Sequence, residues 1–366
     1  MINLNTEASV QINNGLRETS ADGAGLVFDK KYGIMFCAYM PGLQGKYGES
    51  RGRISLSYFP ASQPTNIKFI EVAVGDNVYC HNITHIGDGK VRVIYERNSK
   101  ADCDHFTCYK DFDFLSEALS EEKILMLNKD DGTTVPLTES EQFSYLEKHG
   151  FSNHTYLCSE QIAFGGHTIF RGEDGCLYGA ITSYLSEVIL YRSKDNLASL
   201  EFFAIYPKPA QYEFDYKYFN GKIYAIYRTN KDEDAIALTT SEDNGKTWSE
   251  PYFLKYSIQC RPRIIIHNGR VLVGYNIFNE DTKNRPAIQQ GRSSIALSFF
   301  DDAMKEKKKN ILHSKYGMVN MSLCDILGDV YMAFSSSVLA LEYHNGNPLV
   351  RGKDAIRYMK IGNLSE

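Results

Sequence analysis

The sequence predicts an all-β chain folded as a six-bladed β-propeller, one domain over residues 1–366 with a small, partly helical insertion at about 116–156. Three observations predict it. A hairpin motif, in which an apolar stretch runs into a tight turn ending in glycine and then into a second strand, recurs six times, with turn glycines at Gly33, Gly89, Gly175, Gly221, Gly269 and Gly328. Successive glycines lie 56, 86, 46, 48 and 59 residues apart, and four of these spacings suit one four-stranded blade per repeat. The chain also carries 25 Tyr and 20 Phe against one Trp and 10 Pro, a composition that favours half-buried strands.

In order, the units are LVFDKKYGIMFCAYM, ITHIGDGKVRVIYE, TIFRGEDGCLYGAITSY, DYKYFNGKIYAIYR, RIIIHNGRVLVGYN and SLCDILGDVYMAFSS. Asp88-Gly89, Asn220-Gly221 and Asn268-Gly269 are the strongest local hairpin signals, because a two-residue type I′ turn needs positive φ at both central positions. The 86-residue gap calls for an insertion. Ser116 to Tyr156 is acidic and lacks strand alternation, and Thr138, Glu141 and Gly150 frame one short helix, TESEQFSYLEKHG, as a capping box and a C′ glycine. A degenerate seventh blade there is the alternative, weakened by the missing alternation. The strand around Val10 and Ile12 is placed to close the last sheet.

Composition narrows the function classes. With 43% hydrophobic and 23% charged residues the chain is neither a disordered tail nor a membrane protein. Forty basic against 45 acidic residues leave a net charge of -5, with no general pull toward nucleic acid or anionic lipid. No apolar run reaches a membrane span and the start, MINLNTEASVQ, is polar, so the expectation is a cytoplasmic chain with no membrane partner. The eight cysteines are scattered and read as reduced core thiols, and Cys103, His105 and Cys108 lack a second pair to complete a zinc site. No metal and no cofactor is expected, and Lys305 to Lys309 reads as a solvated charged turn.

A second element follows the hairpins. SEDNGKTWSEPYF at 241–253 has the pattern Ser-x-Asp-x-Gly-x-Thr-Trp, SKDNLASLEFF at 193–203 is a decayed copy, and fainter echoes stand at 109–114 and 297–312. It is a turn device. The Asp243 carboxylate accepts from loop N–H groups, Gly245 supplies a left-handed residue, and Trp248 packs between sheets. This motif resembles the Asp box, and with its six hairpins the chain resembles the sialidase (neuraminidase) superfamily, whose members are six-bladed propellers. The likeness in repeat form covers nearly the whole chain.

In a propeller the innermost strand of each blade lines the channel, and here it lies just upstream of each turn glycine. Eight residues back from the glycines stand Gly25, His81, His167, Glu213, Arg261 and Asn320. Polar residues gathered at one depth are costly unless they meet a ligand or water. The resemblance implies roles for particular positions: Tyr316 in KYGMVNM as nucleophile, Glu213 as its base, and Arg228 with Arg292 of GRSSIALSFFDD as a clamp on a substrate carboxylate. The family's opening Phe/Tyr-Arg-Ile-Pro motif is missing, which leaves Arg17 as the nearest substitute for the first clamp arginine. Glu49 in YGESRGR stands in for the family's acid. His81, His167 and Arg261-Pro262-Arg263 have no counterpart, and with Asn320 they join the substrate-binding set.

The implied activity is a retaining exo-glycosidase on an acidic sugar, with an acidic oligosaccharide or glycoconjugate as partner. Two alternatives stay open. A propeller-type polysaccharide lyase would use His81, His167, Arg261 and Tyr316 on a uronate. A non-catalytic propeller would bind a glycan or protein on its loop face, with Tyr39, Tyr47, Tyr184 and Tyr275 available to stack on sugars.

Overall fold

The computed structural model describes residues 9–12, 21–41, 52–75, 78–98, 105–151, 169–182, 184–211, 213–231, 234–278, 294–302, 304–313, 318–344 and 347–364. The chain opens with β1 (Val10–Gln11) and continues into blade 1, made of β2 (Ala21–Asp29), β3 (Ile34–Pro41), β4 (Arg53–Pro60) and β5 (Lys68–Val74). Blade 2 is β6 (Val78–Gly87), β7 (Lys90–Asn98) and β8 (His105–Asp113), with the short β9 (Ala118–Leu119) and β10 (Lys123–Ile124) on its outer edge. Next come β11 (Met126–Asn128), β12 (Thr134–Pro136) and α1 (Glu139–Lys148). Blade 3 is β13 (Phe170–Arg171), β14 (Leu177–Thr182), β15 (Tyr184–Ser193) and β16 (Ser199–Gln211). Blade 4 is β17 (Phe214–Phe219), β18 (Lys222–Arg228), β19 (Ile236–Ser241) and β20 (Tyr252–Phe253), and blade 5 is β21 (Arg263–His267), β22 (Arg270–Asn276), β23 (Ser294–Phe300) and β24 (Glu306–His313). Blade 6 is β25 (Val319–Ile326), β26 (Asp329–His344) and β27 (Asn347–Gly362), and β1 completes it as the outermost strand, Val10 opposite Tyr358.

Both faces of each sheet are covered by neighbouring blades, so the middle strands are buried on both sides. All seven residues of β23 and all six of β19 are buried, and such strands read as continuous apolar runs rather than alternating ones. Six apolar clusters fill the six clefts between blades. Phe36, Tyr58 and Phe112 pack blade 1 on blade 2, while Ile94, Tyr109, Ile181 and Ile189 pack blade 2 on blade 3. Tyr178, Tyr206, Phe214 and Tyr227 join blades 3 and 4; Ile226, Leu238, Val273 and Tyr275 join blades 4 and 5. Leu272, Met321 and Phe334 join blades 5 and 6, and Leu26, Phe59 and Tyr358 join blade 6 to blade 1. Among the described residues there is no single central core: the buried tyrosines and phenylalanines lie in these radial seams.

Close approach demands glycine at one seam position. A Cβ on Gly274 would lie 2.8 Å from Leu323 Cδ1 and 2.9 Å from Met321 Sδ, so only a residue without a side chain lets blade 5 meet blade 6 there. At the blade 4 hairpin Asn220 (φ 52°) and Gly221 (φ 73°) both adopt positive φ, as the type I′ turn requires. Buried polar pairs also stitch blades together. His85 Nε2 lies 2.7 Å from Asp29 Oδ2 between blades 1 and 2, and His267 is hydrogen-bonded to Asp325 between blades 5 and 6.

The turn at 241–249 is built from side chains. Ser241 Oγ donates to Asp243 Oδ1 (2.8 Å) and accepts from Gly245 N–H (2.8 Å), while Thr247 donates its N–H (2.8 Å) and hydroxyl (2.6 Å) to Asp243. Trp248 donates to Gly245 O at 3.1 Å and sets its ring edge-on to Tyr206, 4.9 Å away, in the seam between blades 3 and 4. The turn after β15 repeats the serine and aspartate bonds: Ser193 to Asp195, Leu197 N–H to Ser193, and Ser199 through N–H and hydroxyl to Asp195, with Leu200 in the tryptophan's place. Leu197 there holds φ at 61° where the other turn has glycine. In blade 5 the corresponding bond from Lys305 N–H to Asp301 Oδ1 (2.8 Å) is present.

Among the described residues the insertion forms no seventh blade. Its four short strands extend sheets already present, β9 and β10 on blade 2 and β11 running parallel to β16 on blade 3. Alternation was not visible because strands of two or three residues are too short to display a period. The helix does form where the capping box placed it: Thr138 is the N-cap and accepts from Glu141 N–H at 3.3 Å. Phe143 and Leu146 face the seam between blades 2 and 3. Lys305 to Lys309 is no turn beyond its first residue, since β24 takes in Glu306 onward as an edge strand.

Candidate functional site

The inner strands β2, β6, β13, β17, β21 and β25 are the sheet-edge strands that precede the turn glycines. They are tied to one another around the axis by side chain to backbone bonds. Asp215 Oδ2 on β17 accepts Ile264 N–H of β21 (3.1 Å), Arg263 Nε on β21 donates to Met321 O of β25 (2.8 Å), and Ser322 Oγ on β25 accepts Leu26 N–H of β2 (3.2 Å). Such bonds fix the relative height of adjacent blades, and hence of whatever side chains they carry into the channel.

Glu213 immediately precedes β17, and Arg228 ends β18. The hairpin brings them together although 15 positions separate them: Arg228 N–H donates to Glu213 O (2.9 Å) and Arg228 Nη1 to Glu213 Oε2 (3.3 Å). Arg228 Nη2 donates to Gln259 Oε1 (2.7 Å), and Gln259 is itself held by donating to Lys231 O (3.0 Å). The guanidinium is therefore clamped on two sides, and both members of the pair keep a minority of their surface open. The pairing fixes the position of the Glu213 carboxylate beside the channel.

Below this pair, Asp215 and Lys217 continue along β17 at the same two-residue period. Asp215 is fully buried and accepts from Tyr216 N–H (3.0 Å) as well as Ile264 N–H. Lys217 Nζ stands 3.7 Å from Asp215 Oδ1, donates to Tyr216 O (3.1 Å) and lies 4.5 Å from the centre of the Phe170 ring. Burial pulls the Lys217 ammonium below its ordinary range, and the Asp215 carboxylate works against that. Arg263, 3% exposed, is likewise lowered by burial, to about 10, with Asp215 and Glu213 pulling it up and Arg261 pushing it down. It remains charged at neutral pH.

Asn320 sits at φ 50° inside a bulge of β25, where Val319 to Ser322 spans one residue more than the facing Ser335 to Ala333. Bulges of this kind re-aim backbone and side chains beside sites. Here the bulge frees the Met321 carbonyl for Arg263.

Of the residues expected from the sequence, Glu213 and Arg228 are in contact, Arg261 is electrostatically coupled to Arg263 in the same cluster, and Asn320 adjoins Arg263's acceptor on the next inner strand. His81 falls in β6, opposite Tyr95, with only its backbone described. Arg17, Glu49, His167, Arg292 and Tyr316 lie outside the described residues. Gly25 is a packing position: a Cβ there would meet Ile83 Cγ2 at 2.8 Å, in the seam between blades 1 and 2.

Tyr39 and Tyr275 are no stacking platform, being 1% and 0% exposed in the seams; Tyr47 and the Tyr184 side chain are outside the described residues. Strand residues with one face in a seam cannot also present a ring to solvent. Sequence reasoning passed over Gln259, Asp215 and Lys217, although the Glu-x-Asp-x-Lys alternation on one strand was there to be read. It also passed over Tyr256, 71% exposed at φ 62° in the crossing from blade 4 to blade 5, where Asp234 Oδ1 holds its N–H at 2.6 Å.

No known family's sequence profile matches this chain, and no curated protein matches it. Solved structures do resemble it in fold. A Trypanosoma rangeli sialidase in complex with sialic acid superposes with a TM-score of 0.57 at 10% identity, over 98% of this chain and 57% of that one. The same sialidase carrying 2,3-difluorosialic acid as a covalent intermediate gives 0.56 at 11% identity. A Dyadobacter fermentans protein of unknown function gives 0.62 at 12% identity, over 97% of this chain and 98% of that one. The chain thus spans a little over half the length of the sialidase chains it matches, and identities this low establish the six-bladed arrangement alone.

Proposed function

We propose that this chain is a glycoside hydrolase of sialidase type acting on an acidic sugar. The observation that carries the reading is the Glu213–Arg228 pair, joined across one hairpin at the start of the blade 4 inner strand and braced by Gln259. The paired turns at 193–199 and 241–248 support it as Asp boxes, one complete and one with leucine in place of glycine.

In this mechanism Arg228 and Arg292 hold the substrate carboxylate. Glu213 takes the phenolic proton of Tyr316 as its oxygen bonds to the anomeric carbon; the bond to the leaving oxygen breaks, and Glu49 protonates it. Water then attacks the same carbon, giving a proton to Glu49; the tyrosyl bond breaks and Glu213 returns its proton to the phenolate. A phenol suits an anomeric centre next to a carboxylate, because a neutral nucleophile approaching an anion avoids the repulsion that a second carboxylate would meet.

The test is a panel of acidic glycosides followed for reducing sugar and for the near-ultraviolet absorbance of an unsaturated uronate. Reducing sugar without the chromophore supports the reading, and Glu213→Gln and Tyr316→Phe should each lower kcat by at least about 10²-fold. The chromophore would replace hydrolysis by lyase chemistry, and binding without turnover would leave a glycan-binding propeller.

A further inference from the structure

The channel carries more positive charge than a single carboxylate clamp uses. Glu213 and Asp215 are the acidic members of the cluster; Lys217, Arg228, Arg261 and Arg263 are the basic ones. Two cations are thus unmatched among the described residues of the cluster. The hydrogen bonding tells the same story atom by atom. Arg263 spends Nε on Met321 O, yet its Nη1 is buried with no hydrogen-bond partner. Arg261 Nε is buried and unpartnered as well, and so is Arg228 Nε, although both terminal nitrogens of Arg228 are engaged. A buried guanidinium N–H left unmade is costly, and such gaps call for an explanation.

The local sequence accounts for how these groups are presented. In Arg261-Pro262-Arg263 the two arginines are two residues apart, Arg263 opening β21 and Arg261 standing just before it. Pro262 lacks an N–H and fixes φ, which stiffens the approach. Arg263 is anchored through Nε to the bulge of β25, which holds the guanidinium plane in place with Nη1 unused. A planar fork with unused donors is suited to an oxyanion, which offers several acceptor oxygens together with the missing negative charge.

We infer that Arg261 and Arg263 form a second anion subsite beneath the Glu213–Arg228 pair, which takes an oxyanion: a carboxylate, sulfate or phosphate group. The inference deepens the hydrolase reading and rests on it for the sugar that would carry this group, while the anion site stands on the arginines themselves. The group has two possible carriers. As a substituent of the sugar it makes the preferred substrate doubly anionic; as a free inorganic ion it is a resident of the channel.

Anion binding needs no turnover, so it can fail or succeed apart from the hydrolase reading. Calorimetry and thermal unfolding of the full chain in low salt would use sodium sulfate as probe, then a sulfated and an unsulfated monosaccharide. The expected result is saturable sulfate binding, with Tm rising with concentration, weakened at least 10-fold in Arg261→Gln and retained in Tyr316→Phe. Arg263→Lys keeps a cation in place of the fork, and it should weaken binding while circular dichroism stays native.

Competition assigns the carrier. If the sulfated sugar displaces sulfate and the unsulfated one does not, the substituent is the ligand; sulfate binding unaffected by either sugar makes the free ion the resident. The inference is overturned if wild type shows no saturable sulfate binding, or if a folded Arg261→Gln binds sulfate as tightly as wild type.

Discussion

Substituting Asp215 probes the charge column where its energetics are most exposed. The carboxylate is fully buried, accepts the N–H groups of Tyr216 and Ile264, and stands 3.7 Å from the Lys217 ammonium. Removing one member of a buried ion pair costs roughly 3–5 kcal/mol, because the other charge is left without its counter-ion. Asp215→Ala is therefore expected to lose about 4 kcal/mol. Asp215→Asn keeps an acceptor for Ile264 N–H and should lose less.

The informative variant is the double one. Asp215→Ala with Lys217→Met removes both charges, so the ion-pair share is recovered and what remains is the cost of the two backbone N–H groups left unpaired, about 1–3 kcal/mol each. The expected coupling between the sites is then at least about 1.5 kcal/mol. Urea unfolding followed by Trp248 fluorescence and circular dichroism measures all four proteins. Additive losses in the double variant, or a loss under about 1 kcal/mol in Asp215→Ala, would refute the view that Asp215 compensates Lys217.

Other expectations follow from the seams and turns. The Asp243 carboxyl is held down at about 2 by the Thr247 hydroxyl and N–H together with Ser241. A lowered acid stabilises the fold above its unfolded value and ceases to do so as pH falls through the folded one, so Trp248 fluorescence should report the turn opening near pH 2 and not near 4. At alkaline pH the sign reverses. Burial holds Tyr191, Tyr206, Tyr216, Tyr275 and Tyr358 above the ordinary phenol range, so their contribution is complete below about pH 10 and lost above it. Tyrosinate absorbance should rise in two stages, the second coinciding with loss of circular dichroism. Gly274→Ala should cost about 1–3 kcal/mol by overpacking the seam between blades 5 and 6, read as a lower urea midpoint.

The architecture was legible because it repeats: one glycine hairpin per blade fixed the count and located the inner strands, and Val10 and Ile12 marked the closing strand. The capping box marked α1 for a local reason, since Thr138 and Glu141 interact within one turn. What stayed hidden depended on contacts between distant segments. Gly25 shares its register with Glu213 and Arg261, yet serves packing against Ile83, which no intra-repeat comparison reveals. Tyr39 and Tyr275 looked available as aromatics but face the seams. Gln259 shows its purpose only once Arg228 is seen beside it, 31 positions earlier in the chain.

Closure by β1 on β27 also sets the order of manufacture. Of the described strands the one made first is seated last: Val10 has no partner until Tyr358 has been synthesised, a delay on the order of tens of seconds at ordinary elongation rates. Until then the nascent chain is an open arc, with two blade faces uncovered and β1 without its partner strand. Bare edges recruit other chains, so protection of the leading segment during synthesis governs whether this chain ends as a ring or as an aggregate.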